Sequence, residues 1–280
     1  LSHAFSHSAE PLVVTDFTAG AGGDQLDINN ILTRLAGFGW THGNPFGQNY
    51  LQLVQDGAHT RLVIRYDLDD LPIDLVLLRN VTATALTAAN FIPAIDPDGS
   101  EIPAMLLLGT EDADDLTGGF GNDTLRGLDG DDVLDGGIGH DLVEGGAGYD
   151  TIYSEFGDDT IDGGDGDDYL SIESNGNVSV EGGLGADRID VLQQIGSFVV
   201  SGGEGNDEIF VQSYDVREGG LRTISAGAGD DDVTLRGDAT VDLGAGTDEL
   251  VVAARYANTV TTGAGADLIL IESFRDDQNN

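Results

Sequence analysis

The sequence predicts an all-β protein whose larger part is a parallel β-roll or β-helix solenoid, and three observations carry that prediction. Glycine accounts for 42 of the 280 residues, whereas proline accounts for only 6. A nine-residue repeat runs without interruption over residues 109–171. Each repeat holds an aliphatic residue at the same place, as the inward side of a short strand requires. Such a short, fixed period is typical of stacked coils.

The charge of the chain is strongly negative. It has 51 Asp and Glu against 11 basic residues, all of them Arg, which gives a net charge of −40. A field of this sign makes nucleic acid and anionic membrane surfaces poor partners and cations good ones. With no cysteine, the chain has no disulfide framework and no thiolate metal site. No apolar run is long enough to predict a transmembrane segment. The absence of an initiator Met and of a secretory signal pattern suggests a piece of a larger chain.

The first hundred residues predict a small β-rich capping domain over 11–108, after a disordered start at 1–10. A strand is expected at 13–17, followed by a short amphipathic helix in the segment INNILTRLAGF. Three further strands are expected in YLQLVQDG, TRLVIRYD and DLVLLRNV, and QDGAHT (55–60) predicts a hairpin turn.

The seven nonapeptides of 109–171 share an Asp at the sixth position and an aliphatic residue at the eighth. This pattern predicts a six-residue turn alternating with a three-residue strand, with glycine supplying the positive φ that the turn needs. Two repeats then form one coil of 18 residues, so that turns stack in two columns and each Asp lies beside the Asp one coil away. The seven aspartates are Asp114, Asp123, Asp132, Asp141, Asp150, Asp159 and Asp168.

Wider coils are predicted over 172–275, before a tail at 276–280. The turn motif returns at 182, 202, 226, 243 and 262, about one coil apart, so it remains on one side only. On the other side it is replaced by turns such as 192–197 and 213–222. We therefore expect a long column and a short column of aspartates. The long column is Asp114, Asp132, Asp150, Asp168, Asp187, Asp207, Asp231, Asp248 and Asp267, and the short column is Asp123, Asp141 and Asp159.

These columns predict bound Ca²⁺. Carboxylates about 4.8 Å apart repel one another unless a cation neutralises them, and Ca²⁺ accepts about six to eight oxygen ligands from carboxylates and carbonyls. One ion in each gap between turns would give up to about ten ions. The alternative is that the late coils are structural and their sites are only partly filled. Carbonyl ligands are expected from the turn glycines Gly119, Gly121, Gly130, Gly137, Gly139, Gly146, Gly148, Gly164 and Gly166.

The repeat GGxGxDxUx resembles the RTX (repeats-in-toxin) or hemolysin-type calcium-binding repeat family. The resemblance implies a calcium-binding parallel β-roll in a type I-secreted protein. Residues 11–93 resemble a type I secretion target domain through DFTAGAGGDQLDINNIL, NPFGQNYLQLVQDG, LVLLRNV and LTAANF. In that family the first segment closes a preceding roll, which implies that Asp16 and Asp24 complete a calcium site. Here the domain precedes a repeat array, which favours an internal cap over a terminal export signal.

The expected function is that of a calcium-binding structural segment of a secreted, extracellular or cell-surface bacterial protein, of the adhesin or surface-layer type, that folds outside the cell. An alternative is a calcium-dependent polysaccharide-binding or accessory module of a secreted epimerase, lyase or hydrolase. A glycan or another surface protein is therefore a possible partner. No catalytic residue is predicted, because neither HExxH nor GxSxG occurs. A polysaccharide-active β-helix over 172–271 is the remaining enzymatic alternative.

Overall fold

The structure is a computed structural model, and it forms two units, Leu1–Pro103 and Ala104–Asn280. The expected start at 1–10, the expected tail at 276–280 and parts of the turns at 192–197 and 213–222 lie outside the described residues. The described residues are 11–37, 40, 43–65, 72–193, 196–213, 220–253 and 258–272.

The first unit combines short strands with one helix. Its elements are β1 (Leu12–Val14), β2 (Leu26–Asp27), α1 (Asn29–Gly37), β3 (Leu51–Asp56), β4 (His59–Ile64), β5 (Ile73–Leu78) and β6 (Phe91–Ile92), with 3₁₀ helices at Ala83–Ala85 and Ala88–Asn90. The predicted helix and the β3–β4 hairpin are confirmed, and Gly57 has a φ of 60° in the hairpin turn. β5 continues the antiparallel sheet, while β1 joins β5, and β2 joins β6, in parallel.

The core of this unit lies on one face of α1. Leu32 and Leu35 are fully buried, together with Trp40, Leu51 and Phe91. The two leucines lie three residues apart on a nine-residue helix, which places them on the same face. The apolar spacing of the segment therefore explains both the helix and the side that it buries.

The second unit is a solenoid of short parallel strands. They are β7 (Leu106–Leu108), β8 (Asp115–Gly119), β9 (Thr124–Asp129), β10 (Val133–Gly137), β11 (Leu142–Ala147), β12 (Thr151–Ser154), β13 (Thr160–Asp165), β14 (Tyr169–Ser174), β15 (Val178–Leu184), β16 (Arg188–Gln193), β17 (Phe198–Glu204), β18 (Glu208–Ser213), β19 (Arg222–Ala228), β20 (Asp232–Arg236), β21 (Thr240–Asp242), β22 (Ala245–Gly246), β23 (Glu249–Ala253), β24 (Thr259–Thr261), β25 (Ala264–Gly265) and β26 (Leu268–Glu272).

Alternate strands build two sheets. Sheet I contains β8, β10, β12, β14, β16, β18, β20, β23 and β26. Sheet II contains β7, β9, β11, β13, β15, β17, β19, β21 and β24, with β22 and β25 attached. Every pairing between coils is parallel, for example Leu134 opposite Ile152 and Ile152 opposite Leu170. The all-β parallel solenoid predicted from the repeat is therefore confirmed.

The aliphatic residues of the eighth position form the core between the two sheets. Leu134, Ile152 and Leu170 are fully buried on sheet I, and Leu125 and Val143 on sheet II. From β14 to β23 the coils bury a second inward apolar residue in each strand of sheet I, whereas the last strand, β26, is exposed along its length. These residues are Ile172, Val191, Val211, Leu235 and Val252. The wider coils therefore gain apolar burial where they lose one column of aspartates.

The strands are longer than the predicted three residues. β8 runs through Gly118 and Gly119, and β10 through Gly136 and Gly137. The strand ladder continues into the paired glycines of the next repeat because their backbones lie in register with those of the neighbouring coil. Among the described residues, no helix is long and apolar enough to cross a membrane.

Candidate metal site

The structure places the nine aspartates of the long column in the predicted order, one in each successive coil. The backbone N–H of each Asp donates a hydrogen bond to Oδ1 of the next, from Asp114 N–H to Asp132 at 2.7 Å as far as Asp248 N–H to Asp267 at 3.3 Å. The six steps between them have the same geometry, with distances of 2.8 to 3.1 Å. One carboxylate oxygen of each acceptor is therefore held by the backbone of the preceding coil.

The short column follows the same rule and then stops. Oδ1 of Asp141 accepts the N–H of Asp123 at 2.8 Å, and Oδ1 of Asp159 accepts the N–H of Asp141 at 3.0 Å. In the coils that follow, the register puts Val178 and then Phe198 where the next aspartates would lie. Both are buried. Apolar side chains thus end this column, which explains why the second half of the chain keeps the motif on one side only.

The second carboxylate oxygen is buried and has no hydrogen-bond partner in ten of the twelve column aspartates. These are Asp123, Asp132, Asp141, Asp150, Asp159, Asp168, Asp187, Asp207, Asp231 and Asp248. The carboxylates themselves are at most 3% exposed. At the start of the long column, Oδ2 of Asp114 instead accepts the N–H of Thr110 at 2.6 Å. A buried carboxylate oxygen without a partner is costly, and a cation removes that cost.

Burial raises the pKa of several of these carboxyls. The pKa of Asp141 rises to about 8. Those of Asp159 and Asp168 rise to about 7. Desolvation is the largest cause in each case, and neighbouring carboxylates raise the pKa further, against the hydrogen bond from the preceding aspartate. Asp150, Asp187 and Asp231 reach about 6 for the same first reason. Burial thus disfavours the charged form of these carboxyls, which a bound cation would stabilise.

Glycine at the first position of the repeat makes room for the carboxylate, a role that the sequence analysis missed. A Cβ on Gly127 would lie 2.1 Å from Oδ2 of Asp132, and one on Gly202 would lie 2.3 Å from Oδ2 of Asp207. Real Cβ atoms do not approach other atoms so closely, so a side chain here would displace the carboxylate. The signal available in the sequence was the recurrence of this glycine in eight of the twelve turns, with Ser154, Ala226, Leu243 and Thr262 in the other four.

The glycines predicted as carbonyl ligands lie at the second and fourth positions of the turns. The second-position carbonyls of Gly119 and Gly137 accept the N–H of Ile138 and Glu155, at 2.7 and 3.0 Å. The remaining second-position members are Gly146 and Gly164, and the fourth-position members are Gly121, Gly130, Gly139, Gly148 and Gly166. At the fourth position the coils stack backbone on backbone, since a Cβ on Gly148 would lie 2.0 Å from the carbonyl oxygen of Gly130. A carbonyl oxygen has two lone pairs, so a hydrogen-bonded one retains capacity for a cation.

The fifth position carries a further ladder that the sequence analysis did not predict. Oδ1 of Asn122 accepts the N–H of His140, and Nδ1 of His140 accepts the N–H of Asp158, at 3.0 and 2.7 Å. Oδ1 of Asp158 then accepts the N–H of Asn177 at 2.7 Å. Although the residue type varies, each member presents an acceptor to the next coil, which ties neighbouring turns together.

Asp24 lies apart from the columns, in the first unit. Its Oδ2 accepts the N–H of Thr18 at 2.7 Å, closing its own turn, and its carbonyl accepts the side-chain amide of Asn90 at 2.8 Å. Asp16, the other residue predicted for this calcium site, also belongs to the first unit. A calcium site completed by Asp24 stays a prediction.

The columns suit a cation shared between coils. No three His, Asp or Glu side chains of the described residues converge as a compact metal cluster. The carboxylates are instead spaced one coil apart, with turn carbonyls between them, so an ion would take ligands from neighbouring coils. Hard oxygen donors with a high negative charge fit Ca²⁺ better than a softer metal. Fold and site together define a parallel β-solenoid with calcium-binding turns.

The solenoid contains RTX calcium-binding nonapeptide repeats. The family model with that description matches the chain in four copies, at residues 108–143, 137–170, 174–193 and 243–276. Repeats of this family bind Ca²⁺, so the chain takes several calcium ions, and proteins with such repeats are generally secreted. No curated protein matches the chain.

Proposed function

We propose that this chain is a calcium-dependent structural segment of an extracellular or cell-surface bacterial protein, of the adhesin or surface-layer kind, which folds when it meets calcium outside the cell. The unpartnered, buried Oδ2 atoms carry the proposal. They repeat along both columns, and a bound cation at each of them would neutralise a buried carboxylate.

Charge and burial support folding that depends on calcium. A net charge of −40 opposes a compact state, and the buried carboxylates add a desolvation cost in every coil. Each bound Ca²⁺ offsets two charges. Because the complete sites exist only when coils are stacked, the free energy of binding adds to that of folding.

The proposed affinity explains where folding would occur. Extracellular calcium modules bind with dissociation constants of about 10⁻⁴ to 10⁻³ M. With that affinity the sites stay empty in the low-calcium cytosol, and the chain remains unfolded and competent for export. In the calcium-rich exterior the sites fill, and folding makes passage irreversible.

The test is a calcium titration of the purified chain, followed by far-UV circular dichroism and calorimetry. We expect a weak β signal in EDTA and a cooperative gain in millimolar Ca²⁺. Asp207→Asn should raise the calcium midpoint, because it removes a carboxylate of the long column. Asp232→Asn makes the same charge change at an exposed position and should leave the midpoint in place. An unchanged β signal in EDTA, with no bound ion, would contradict the proposal.

A further inference from the structure

A groove of about 790 Å³ crosses the outer face of sheet I, and its lining residues include none of the column aspartates. It extends over β10, β12, β14, β16 and β18. Strand residues alternate between the core and this face, so the outward side chains of successive coils line it side by side. Tyr153, Ser171, Asp190 and Phe210 occupy one such row, opposite one another in register.

In the part of the solenoid that the structure describes, aromatic side chains at outward strand positions lie on this face alone. In the described strands of the solenoid they are Tyr153, Tyr169 and Phe210, all on sheet I. In the corresponding strands of sheet II, outward positions are held by non-aromatic side chains such as Thr160, Ser179 and Val199. Tyr153 is 41% exposed, and its ring lies 6.3 Å from that of Tyr169 at an angle of 84°. The groove therefore combines exposed aromatic rings with polar and charged side chains.

Polar groups in the groove are already fixed by one another. Asp190 accepts hydrogen bonds from the hydroxyl of Tyr169 at 3.3 Å and from Arg188 at 3.1 and 3.2 Å. Arg188 also pairs with Glu208. The guanidinium of Arg236 lies over the ring of Phe210, 5.5 Å from its centroid. Side chains held in this way lose little conformational entropy when a ligand binds.

The charge of the groove selects among ligands. Asp135 and Glu155 line it, and burial raises the pKa of both carboxyls; repulsion from Asp135 and Glu173 also raises that of Glu155. With Glu173 and Asp190, four carboxylates line the groove against one lining arginine, Arg188, so polyanions are repelled. Carboxylates accept hydrogen bonds from uncharged hydroxyl groups, and aromatic faces pack against the apolar faces of sugar rings.

We propose that this groove binds an uncharged polysaccharide. Tyr153 and Phe210 would stack on sugar rings, while Asp190 and Arg188 would bind ring hydroxyls. The chain of sugars would run along the solenoid axis, since four strand steps span about 19 Å, enough for a short run of linked rings. The groove adds a binding activity to the structural function proposed above, and it uses none of the calcium-column residues.

The test is calorimetric titration of the calcium-loaded chain with cellohexaose, xylohexaose, laminarihexaose and maltohexaose, and with polygalacturonate and chitosan hexamer as charged probes. We expect binding of at least one uncharged hexamer. Tyr153→Ala should weaken it about tenfold or more, equivalent to about 1.4 kcal/mol. Tyr149→Ala is the matched control, because Tyr149 is an exposed turn residue outside the groove. The affinity of this variant for the hexamer should equal that of the parent chain.

A second variant covers the case in which Tyr153→Ala fails to fold. Ser171→Trp fills the groove with a bulky side chain and should abolish binding while the β signal in calcium persists. Binding of the charged probes alone, of none of the probes, or an equal loss in the Tyr149 and Tyr153 variants would overturn the proposal. Because the β signal reports on calcium-dependent folding separately, such a result would leave the structural function standing.

Discussion

Acidification should promote folding of the calcium-free chain, and Asp150 gives the size of the effect. The side chain of Asp150 is fully buried. Its pKa is raised from 3.8 to about 6, and desolvation is the largest cause of this rise. A raised pKa in the folded state means stability that is present below about pH 4 and lost as the pH rises through about 6. At about 1.4 kcal/mol for each pKa unit, the ionised group costs the fold roughly 3 kcal/mol at pH 8. That is a large share of the roughly 5 to 15 kcal/mol by which domains are stable.

The other buried aspartates extend the pH range over which the calcium-free fold loses stability, and they act in the same direction as Asp150. Asp141 loses its contribution as the pH rises through about 8, and Asp159 and Asp168 through about 7. In EDTA we therefore expect the far-UV β signal to grow as the pH falls from about 8 to about 5. With calcium bound the sign reverses, because protons compete with the ion for the same carboxylates.

A pair of variants separates the buried charge from net charge. Asp150→Asn keeps the shape of the side chain and removes the buried ionisable group. In EDTA, the pH midpoint for folding of this variant should therefore move to higher pH. In calcium, the variant should be less stable than the parent chain, because it lacks a carboxylate of the long column. Asp165→Asn makes the same charge change at an exposed residue and should leave the midpoint unchanged. A pH-independent signal in EDTA, or equal shifts in both variants, would refute the reasoning.

Three further changes probe the packing. Gly137→Ala places a Cβ 2.2 Å from the carbonyl oxygen of Gly119, whereas a Cβ on Gly119, a residue that also has a positive φ, would meet open space. In calcium, Gly137→Ala should therefore lower the melting temperature clearly more than Gly119→Ala. Equal effects would mean that φ alone matters. Leu170→Ala empties a fully buried core position and should cost about 2 to 5 kcal/mol in urea unfolding with calcium, and a loss below 1 kcal/mol would contradict the stacked core. Asn90→Ala removes the side chain that bonds the backbone of Gly20 and Asp24, and should destabilise the first unit by about 1 to 3 kcal/mol in thermal unfolding, without moving the calcium midpoint of the solenoid.

The sequence predicted much of the site because the repeat has a fixed period. Equal spacing puts Asp132 over Asp114 whatever the details of the turn, and the long column keeps its order to Asp267 although the coils vary in length. The inward aliphatic at the eighth position could be predicted for the same reason.

The geometry within the site could not be predicted from the period. Which carboxylate oxygen binds the neighbouring amide, and which lies buried without a partner, depends on how closely the coils approach at Gly127 and its equivalents. The end of the short column likewise depends on the register that brings Val178 and Phe198 into its path. In the first unit, the parallel pairing of β1 with β5 joins segments about sixty residues apart, for which local patterns carry no signal.

By itself, then, the sequence determined the solenoid, its apolar core and the two lines of aspartates, because a nine-residue period fixes which residues face inward and which meet in the next coil. Only the tertiary structure decided which side chains share the outer face of sheet I. Tyr153, Asp190 and Phe210 are far apart in a chain whose coils differ in length, and they become neighbours only through the pairing of β12, β14, β16 and β18. Register is a property of stacked backbones, and it alone assembles the groove.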